Sequence, residues 1–212
     1  MSAPTLGLAI IARDEAENLP GLLASVAGAF DQIALADTGS TDRTVQVFEE
    51  WAAAQDLPLG HRVGRFEWRD DFGAARNFAD SMLSTDWTCW GDCDERPNGA
   101  ALLRGLVAAA PPEAAGIVCG IDPCGDGRWL PRLRLARRGR GEWTGRVHEL
   151  LGIDGPAAQV PPPLCGWVHR RTDWGASDAR DERILSRWLE DEPENERALY
   201  LRSVPGLAEA AA

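Results

Sequence analysis

Two carboxylates separated by a single residue, Asp92 and Asp94 around Cys93, stand directly after the apolar run Trp87 to Gly91. A strand ending in such a turn can aim both acids into one cleft. Hard oxygen ligands of this kind suit Mg²⁺ or Mn²⁺, ions that keep coordination places for waters and phosphate oxygens. The competing role for Asp92, Asp94 and Glu95 is to cap a helix starting near Pro97, and the triplet alone does not decide between the two.

Two further clusters bear on the choice. Asp37 to Thr44 reads D-T-G-S-T-D-R-T: Gly39 supplies a tight turn and Ser40, Thr41 and Asp42 can cap a helix. Capping leaves Asp37 unexplained, an acid at a strand end where a nucleoside would lie. Asp70 to Asn77 reads D-D-F-G-A-A-R-N and puts Arg76 early in a helix. Its guanidinium offers a planar fork for phosphate; the plainer alternative is a surface salt bridge to an upstream Asp.

These clusters need elements to carry them. Leu6 to Ala12 is a continuous apolar run, the pattern of a strand buried on both faces. Leu19, Leu22, Leu23 and Val26 then recur at helical spacing, with Pro20 suited to a first turn. Gln32 to Ala36 and Thr44 to Ala54 repeat the strand and helix, as do His61 to Phe66 and Gly73 to Leu83. Three such units predict an α/β fold with a doubly wound, mostly parallel sheet that binds ligands at the strands' C-terminal ends. After the strand Trp87 to Gly91, a helix is expected from Pro97 and Asn98 through Val107. Beyond Gly116 the runs Gly116 to Ile121 and Trp129 to Leu135 predict a small antiparallel addition. The tail from Asp178 to Arg202 reads as helical with a break at Asp191 to Asn195, and 207–212 as a frayed end.

In this order and spacing, I-I-A-R-D-E-A-E-N-L, A-D-T-G-S-T-D-R-T, D-D-F-G-A-A-R-N and D-W-T-C-W-G-D-C-D-E resemble family 2 glycosyltransferases of the Rossmann-like GT-A fold. The bacterial branch with a D-x-D-E signature and a later H-E, often followed by tetratricopeptide-like repeats, is the nearest in pattern. The resemblance implies an inverting hexosyltransferase using a UDP- or other NDP-sugar, with Mn²⁺ or Mg²⁺ held by Asp92 and Asp94. It places Ala12, Arg13, Glu15, Asp37, Arg76, Asp92 and Cys93 on the nucleotide-sugar side, with Asp37 at the nucleoside, Glu15 near the ribose or base and Arg76 helping to hold the nucleotide. Cys93 stands where a small residue is usual.

The later half matches through T-G-R-V-H-E (Thr144 to Glu149) and G-W-V-H (Gly166 to His169). Inversion needs a base for the acceptor hydroxyl; Glu149 is the candidate, with Asp122 and Glu142 as replacements. His169 either completes the metal site or touches the diphosphate, or is a structural histidine. His148 has the same standing, and His61 reads as structural. Seven Arg against one acid between Arg128 and Arg146 form either a solvated strand face or a basic lip over the cleft; Arg137, Arg138 and Trp143 are assigned with His148 to the acceptor or diphosphate side. Several tryptophans near the motifs (Trp68, Trp90, Trp129, Trp143, Trp167, Trp174) could stack on sugars, although core packing explains them equally well.

At 212 residues one domain is expected, with 1–175 catalytic (1–110 nucleotide-binding, 111–175 on the acceptor side) and 176–212 a helical tail that packs on it or makes a homodimer contact. The 44% hydrophobic and 26% charged composition is that of a globular chain. All 22 basic residues are Arg, and the net charge of −11 argues against coating nucleic acid or an anionic membrane. Five cysteines without a C-x-x-C pair, and no apolar run long enough for a bilayer, point to a cytoplasmic protein without an integral membrane segment. A glycan, a protein, a lipid-linked sugar or, disfavoured by the acidity, modified DNA stay open as acceptors. The rival functions are a non-catalytic glycan-binding module and a sugar-nucleotide pyrophosphorylase; the latter would want a glycine-rich phosphate loop where this chain has Asp14 and Glu15.

Overall fold

The computed structural model describes residues 2–162, 164–170 and 175–204, the side chains of 175–178 excepted. Trp174 and the expected frayed end at 207–212 lie outside the described residues. The chain runs β1 (Leu6–Ala12), α1 (Leu19–Ser25), β2 (Gln32–Asp37), α2 (Thr44–Ala53), β3 (His61–Arg65), α3 (Phe72–Ser81), β4 (Trp87–Gly91), β5 (Glu95–Asn98), a 3₁₀ turn (Ala100–Leu102), α4 (Leu103–Ala109), β6 (Gly116–Asp122), β7 (Leu130–Arg137), β8 (Gly141–Thr144), β9 (Leu150–Ile153), β10 (Ala157–Gln159), β11 (Gly166–His169), α5 (Gly175–Asp191) and α6 (Glu196–Ser203).

Nine strands form one sheet in the order β3-β2-β1-β4-β7-β6-β11-β5, with β10 also pairing with β6; β8 and β9 form a separate antiparallel pair. Strands β3, β2, β1 and β4 are mutually parallel, so the loops that follow β1, β2 and β4 emerge on the same side. This is the expected mostly parallel α/β sheet, with antiparallel pairings added through β7 and β5.

Period-two alternation along β1 explains its burial on both faces. Leu6, Leu8, Ile10 and Ala12 join the core that contains Leu22, Leu23 and Phe48 of α1 and α2. Ala9 and the partly buried Ile11 face the other way, toward Ala79 and Leu83. That second layer is built from small side chains (Ala9, Ala34, Ala36, Ala79), which lets α3 settle close to the sheet. Asp71 caps α3 by accepting from the Ala74 N–H at 2.8 Å.

The expected helix start at Pro97 and Asn98 is corrected: these residues belong to β5, which pairs antiparallel with β11, Pro97 opposite Trp167. An edge strand tolerates a residue without an N–H, and Gly99 at φ 80° then turns the chain into the 3₁₀ turn. The tail is two helices, and it packs on the rest of the chain. Ile184, Leu185, Trp188, Ala198 and Leu201 form a second core around Val147, with Trp68 and Phe72 against it.

Candidate active site

The loops after β1 and β2 are tied together by Asp14 and by Asp42, which accepts the Ala16 N–H at 3.1 Å. Asp14, in left-handed backbone at φ 54°, accepts at Oδ1 from the Thr41 N–H (2.7 Å), the Thr41 hydroxyl (3.1 Å) and the Asp42 N–H (3.2 Å). These bonds, the Thr41 N–H foremost, hold its carboxyl below the usual range. Asp42 is likewise lowered, chiefly by the Thr44 hydroxyl at 2.5 Å. Ala12 and Asp37 end paired strands in register, and Asp37 folds its own loop by accepting from the Ser40 N–H at 2.8 Å. Arg13 is exposed beside Asp14. Glu15 donates its backbone N–H to the Thr44 hydroxyl at 2.7 Å and accepts from Asn18 at 2.8 Å.

Across the cleft, Arg76 of α3 joins two acids that are far apart in sequence. Its Nη2 donates to Asp92 Oδ1 at 2.9 Å and its Nε to Glu149 Oε1 at 2.5 Å. Burial opposes the charge of Arg76, but Asp92 and Glu149 outweigh it and raise its pKa. Burial also works against ionisation of Asp92; Arg76, with His169 and Arg134, overcomes it and leaves that carboxyl low. Cys93 is buried, which pushes its thiol up, and its Sγ lies 3.8 Å from the Ile11 carbonyl, docking the turn onto β1.

Beneath this layer, Glu95 and Arg134 form a fully buried bidentate pair at 2.8 Å for each bond. Glu95 also accepts the Asp92 N–H at 3.0 Å and so fixes the turn that presents Asp92. The guanidiniums alternate with indoles: Arg76 lies 4.7 Å from the Trp90 centroid and 4.8 Å from that of Trp143, and Arg134 lies 3.6 Å from Trp90 and 4.5 Å from Trp167. The row Trp143, Arg76, Trp90, Arg134, Trp167 explains three of the tryptophans as supports for the acids.

His169 closes the site from β11. Its Nδ1 is 3.8 Å from Asp94 Oδ2 and its Nε2 3.9 Å from Glu95 Oε1. Ligand atoms of Asp92, Glu95 and His169 all fall within 4.8 Å of one another; Asp94 stands beside this group through His169.

Other residues singled out from the sequence lie elsewhere. Arg137 and Arg138 are corrected: Arg137 pairs with Trp87, at the start of β4, and stacks on that indole at 4.5 Å. Arg138 donates to the Ser84 carbonyl at 3.1 Å. Five residues of strand separate Trp87 from Asp92, about 16 Å, so neither forms a lip over the acids. Arg132 of the same stretch does feel the site: burial, then Arg134, lower its pKa, while Glu95, Glu149 and Asp92 oppose this. Trp143 is buried and donates to Asp80 at 3.0 Å. Asp122 accepts the Asp126 and Gly127 N–H groups in a turn, Glu142 is exposed on β8, and His61 packs edge-on to Phe48. His148, at φ 48°, has Nε2 4.0 Å from Asp181 of the tail.

A model of glycosyl transferase family 2 matches residues 8–174, the stretch that carries these acids, Arg76 and His169. The chain belongs to glycosyl transferase family 2. It is 31% identical over 207 residues to a TPR repeat-containing protein of Synechococcus elongatus, covering 90% of this chain and 49% of the relative. The chain therefore spans about half the length of the curated relative it matches. Among solved structures, the family 2 chain resembles a mannosyltransferase from Pyrobaculum calidifontis in complex with GDP-Man and Mn²⁺ (TM-score 0.65, 15% identity, 100% of this chain and 73% of that one). It also resembles the glucosyl-3-phosphoglycerate synthase of Mycobacterium tuberculosis in complex with Mn²⁺, UDP and phosphoglyceric acid (TM-score 0.56, 18% identity, 88% and 78%). These likenesses establish the GT-A fold. No helix among the described residues is long and apolar enough to cross a membrane.

Proposed function

We propose that this chain transfers a sugar from a nucleotide-diphosphate sugar, with UDP the leading candidate nucleotide, to an acceptor hydroxyl with inversion and with the help of Mn²⁺ or Mg²⁺. The observation that carries this reading is the double grip of Arg76 on Asp92 and Glu149. It brings the acid after β4 and the acid of the later H-E segment into one site at the ends of the parallel strands.

The donor set fits a divalent cation of the Mg²⁺ or Mn²⁺ class: carboxylate oxygens with one imidazole. Glu95 is sealed from solvent and occupied on both oxygens by Arg134. Asp92, Asp94 and His169 each keep some side-chain exposure and are the residues assigned to hold the ion. When bound, the ion neutralises charge on the diphosphate leaving group.

The chain's own groups supply the rest. Asp37 and Glu15 line the nucleoside side, and Arg76 fixes the orientation of Glu149. Glu149 takes the proton of the acceptor hydroxyl as that oxygen attacks the anomeric carbon from the face opposite the leaving group. The non-catalytic binding module is the rival, and the intact acid set disfavours it.

Calorimetric titration with a panel of nucleoside diphosphates and their sugars, with and without Mn²⁺, tests the reading. Metal-dependent binding of one nucleotide is expected; binding of none sinks the transferase. Glu149→Gln is expected to keep donor binding and lose on the order of 10²- to 10⁴-fold in turnover, whereas unchanged turnover would move the base elsewhere.

A further inference from the structure

The segment 145–148, which leads directly into Glu149, is held at every residue by the C-terminal helices. Gly145 lies against Trp188, where an added Cβ would come within 3.4 Å of the ring. Arg146 donates to Asp191 at 2.6 Å and to Glu192 at 3.1 Å. Val147 is buried in the core of the tail. The His148 carbonyl accepts from the Arg197 guanidinium, and its ring faces Asp181.

From the opposite side, Phe72 and Gly73 donate their N–H groups to the carbonyls of Arg146 (2.8 Å) and Gly145 (3.2 Å), and Arg76 grips Glu149. The left-handed backbone of His148 is of the kind that persists only where the surroundings impose it, and here Arg197 holds the carbonyl of that residue.

We infer that α5 and α6 are a working part of the active site and that Arg197 is a positioning residue, which sets the His148 turn so that Glu149 meets Arg76 and the cleft. This rests on the reading of Glu149 as the base. Burial disfavours the charge on Arg197 and the Glu149 carboxylate favours it, as expected for a guanidinium that stands close behind that acid.

The test is the steady-state rate of nucleoside diphosphate release from the nucleotide sugar found by the titration above, with water as the acceptor, together with calorimetric donor affinity and hydrogen exchange over 146–149. Arg197→Ala is expected to lower kcat on the order of 10²-fold, the scale of a small misplacement of a catalytic group. Donor Kd stays within about twofold, the cooperative melt is retained, and exchange at 146–149 rises. Arg197→Lys, which keeps a donor for the His148 carbonyl, recovers part of the loss. In a Glu149→Gln background Arg197→Ala adds nothing further, because it acts through Glu149.

Normal kcat in Arg197→Ala alongside an inactive Glu149→Gln overturns this inference alone, and so does an equal further loss in the double variant. Full activity in Glu149→Gln overturns the base assignment and the inference with it. If Arg197→Ala fails to fold, Arg197→Met, which keeps the apolar stem, carries the same comparison.

Discussion

The two sides of the cleft are held by different physics. On one side, the loops after β1 and β2 are bound to each other by Asp14 and Asp42 through solvent-facing hydrogen bonds. On the other side, Asp92 and Glu149 pair with Arg76 above the buried Glu95–Arg134 pair, and the turn before Glu149 is held by Asp191 and Arg197, 45 and 49 residues further along the chain. Exposed hydrogen bonds to backbone shape a loop at little desolvation cost; buried ion pairs carry a large penalty that only complete pairing offsets. The first side should tolerate change residue by residue, and the second should fail as a unit.

The sharpest way to break that contrast is Arg134→Leu. It leaves Glu95 sealed in the core without its cation, so a loss of about 3–5 kcal/mol is expected, read by urea denaturation; a loss below about 1 kcal/mol would mean that water reaches Glu95. Next comes Asp92→Asn. It should abolish the metal dependence of nucleotide binding and cost on the order of 10²- to 10³-fold in turnover, about 3–4 kcal/mol. Arg76 keeps Glu149 as a partner there, so the melt should move far less than in Arg134→Leu.

A smaller effect concerns Asp80, under Trp143. Burial raises its carboxyl to about 6, against the Trp143 hydrogen bond and Arg76, which lower it, and its Oδ1 is buried without a hydrogen-bond partner. A folded pKa above the unfolded value means that the folded state binds more protons between about pH 4 and 6. Stability therefore falls as pH rises through that window, and the penalty is fully present above it. Asp80→Asn should stabilise the protein by about 1–2 kcal/mol at pH 7.5 and give no gain at pH 4, checked by thermal melts at both values. The smallest expected effect is that of Arg137→Ala with Arg138→Ala: donor affinity within about twofold, because both lie at the far end of β4.

The parallel sheet and the strand-end acids were legible because apolar runs and amphipathic helices alternate and the loops between them keep their acids in contiguous words. Sequence and structure part where a local pattern has two solutions. Glu95 to Asn98 carries helix-start chemistry, yet an edge partner, β11, makes it a strand. The run of Arg from 128 to 146 looked like one surface, but strand alternation and the length of β7 divide it. Arg134 is buried, Arg132 senses the acids, and Arg137 points its stack at Trp87. Neither the Glu95–Arg134 pair nor the hold of Arg197 on the His148 turn has a signal in sequence spacing, since each joins segments brought together only by the tertiary fold.

The alternating row of indoles and guanidiniums also limits how this chain can drift. An ammonium would keep the charge of Arg76 or Arg134, but it has neither the flat faces that lie between two rings nor the fork that meets two carboxylate oxygens at once. The exchange of arginine for lysine, commonplace on a protein surface, is closed at these two positions.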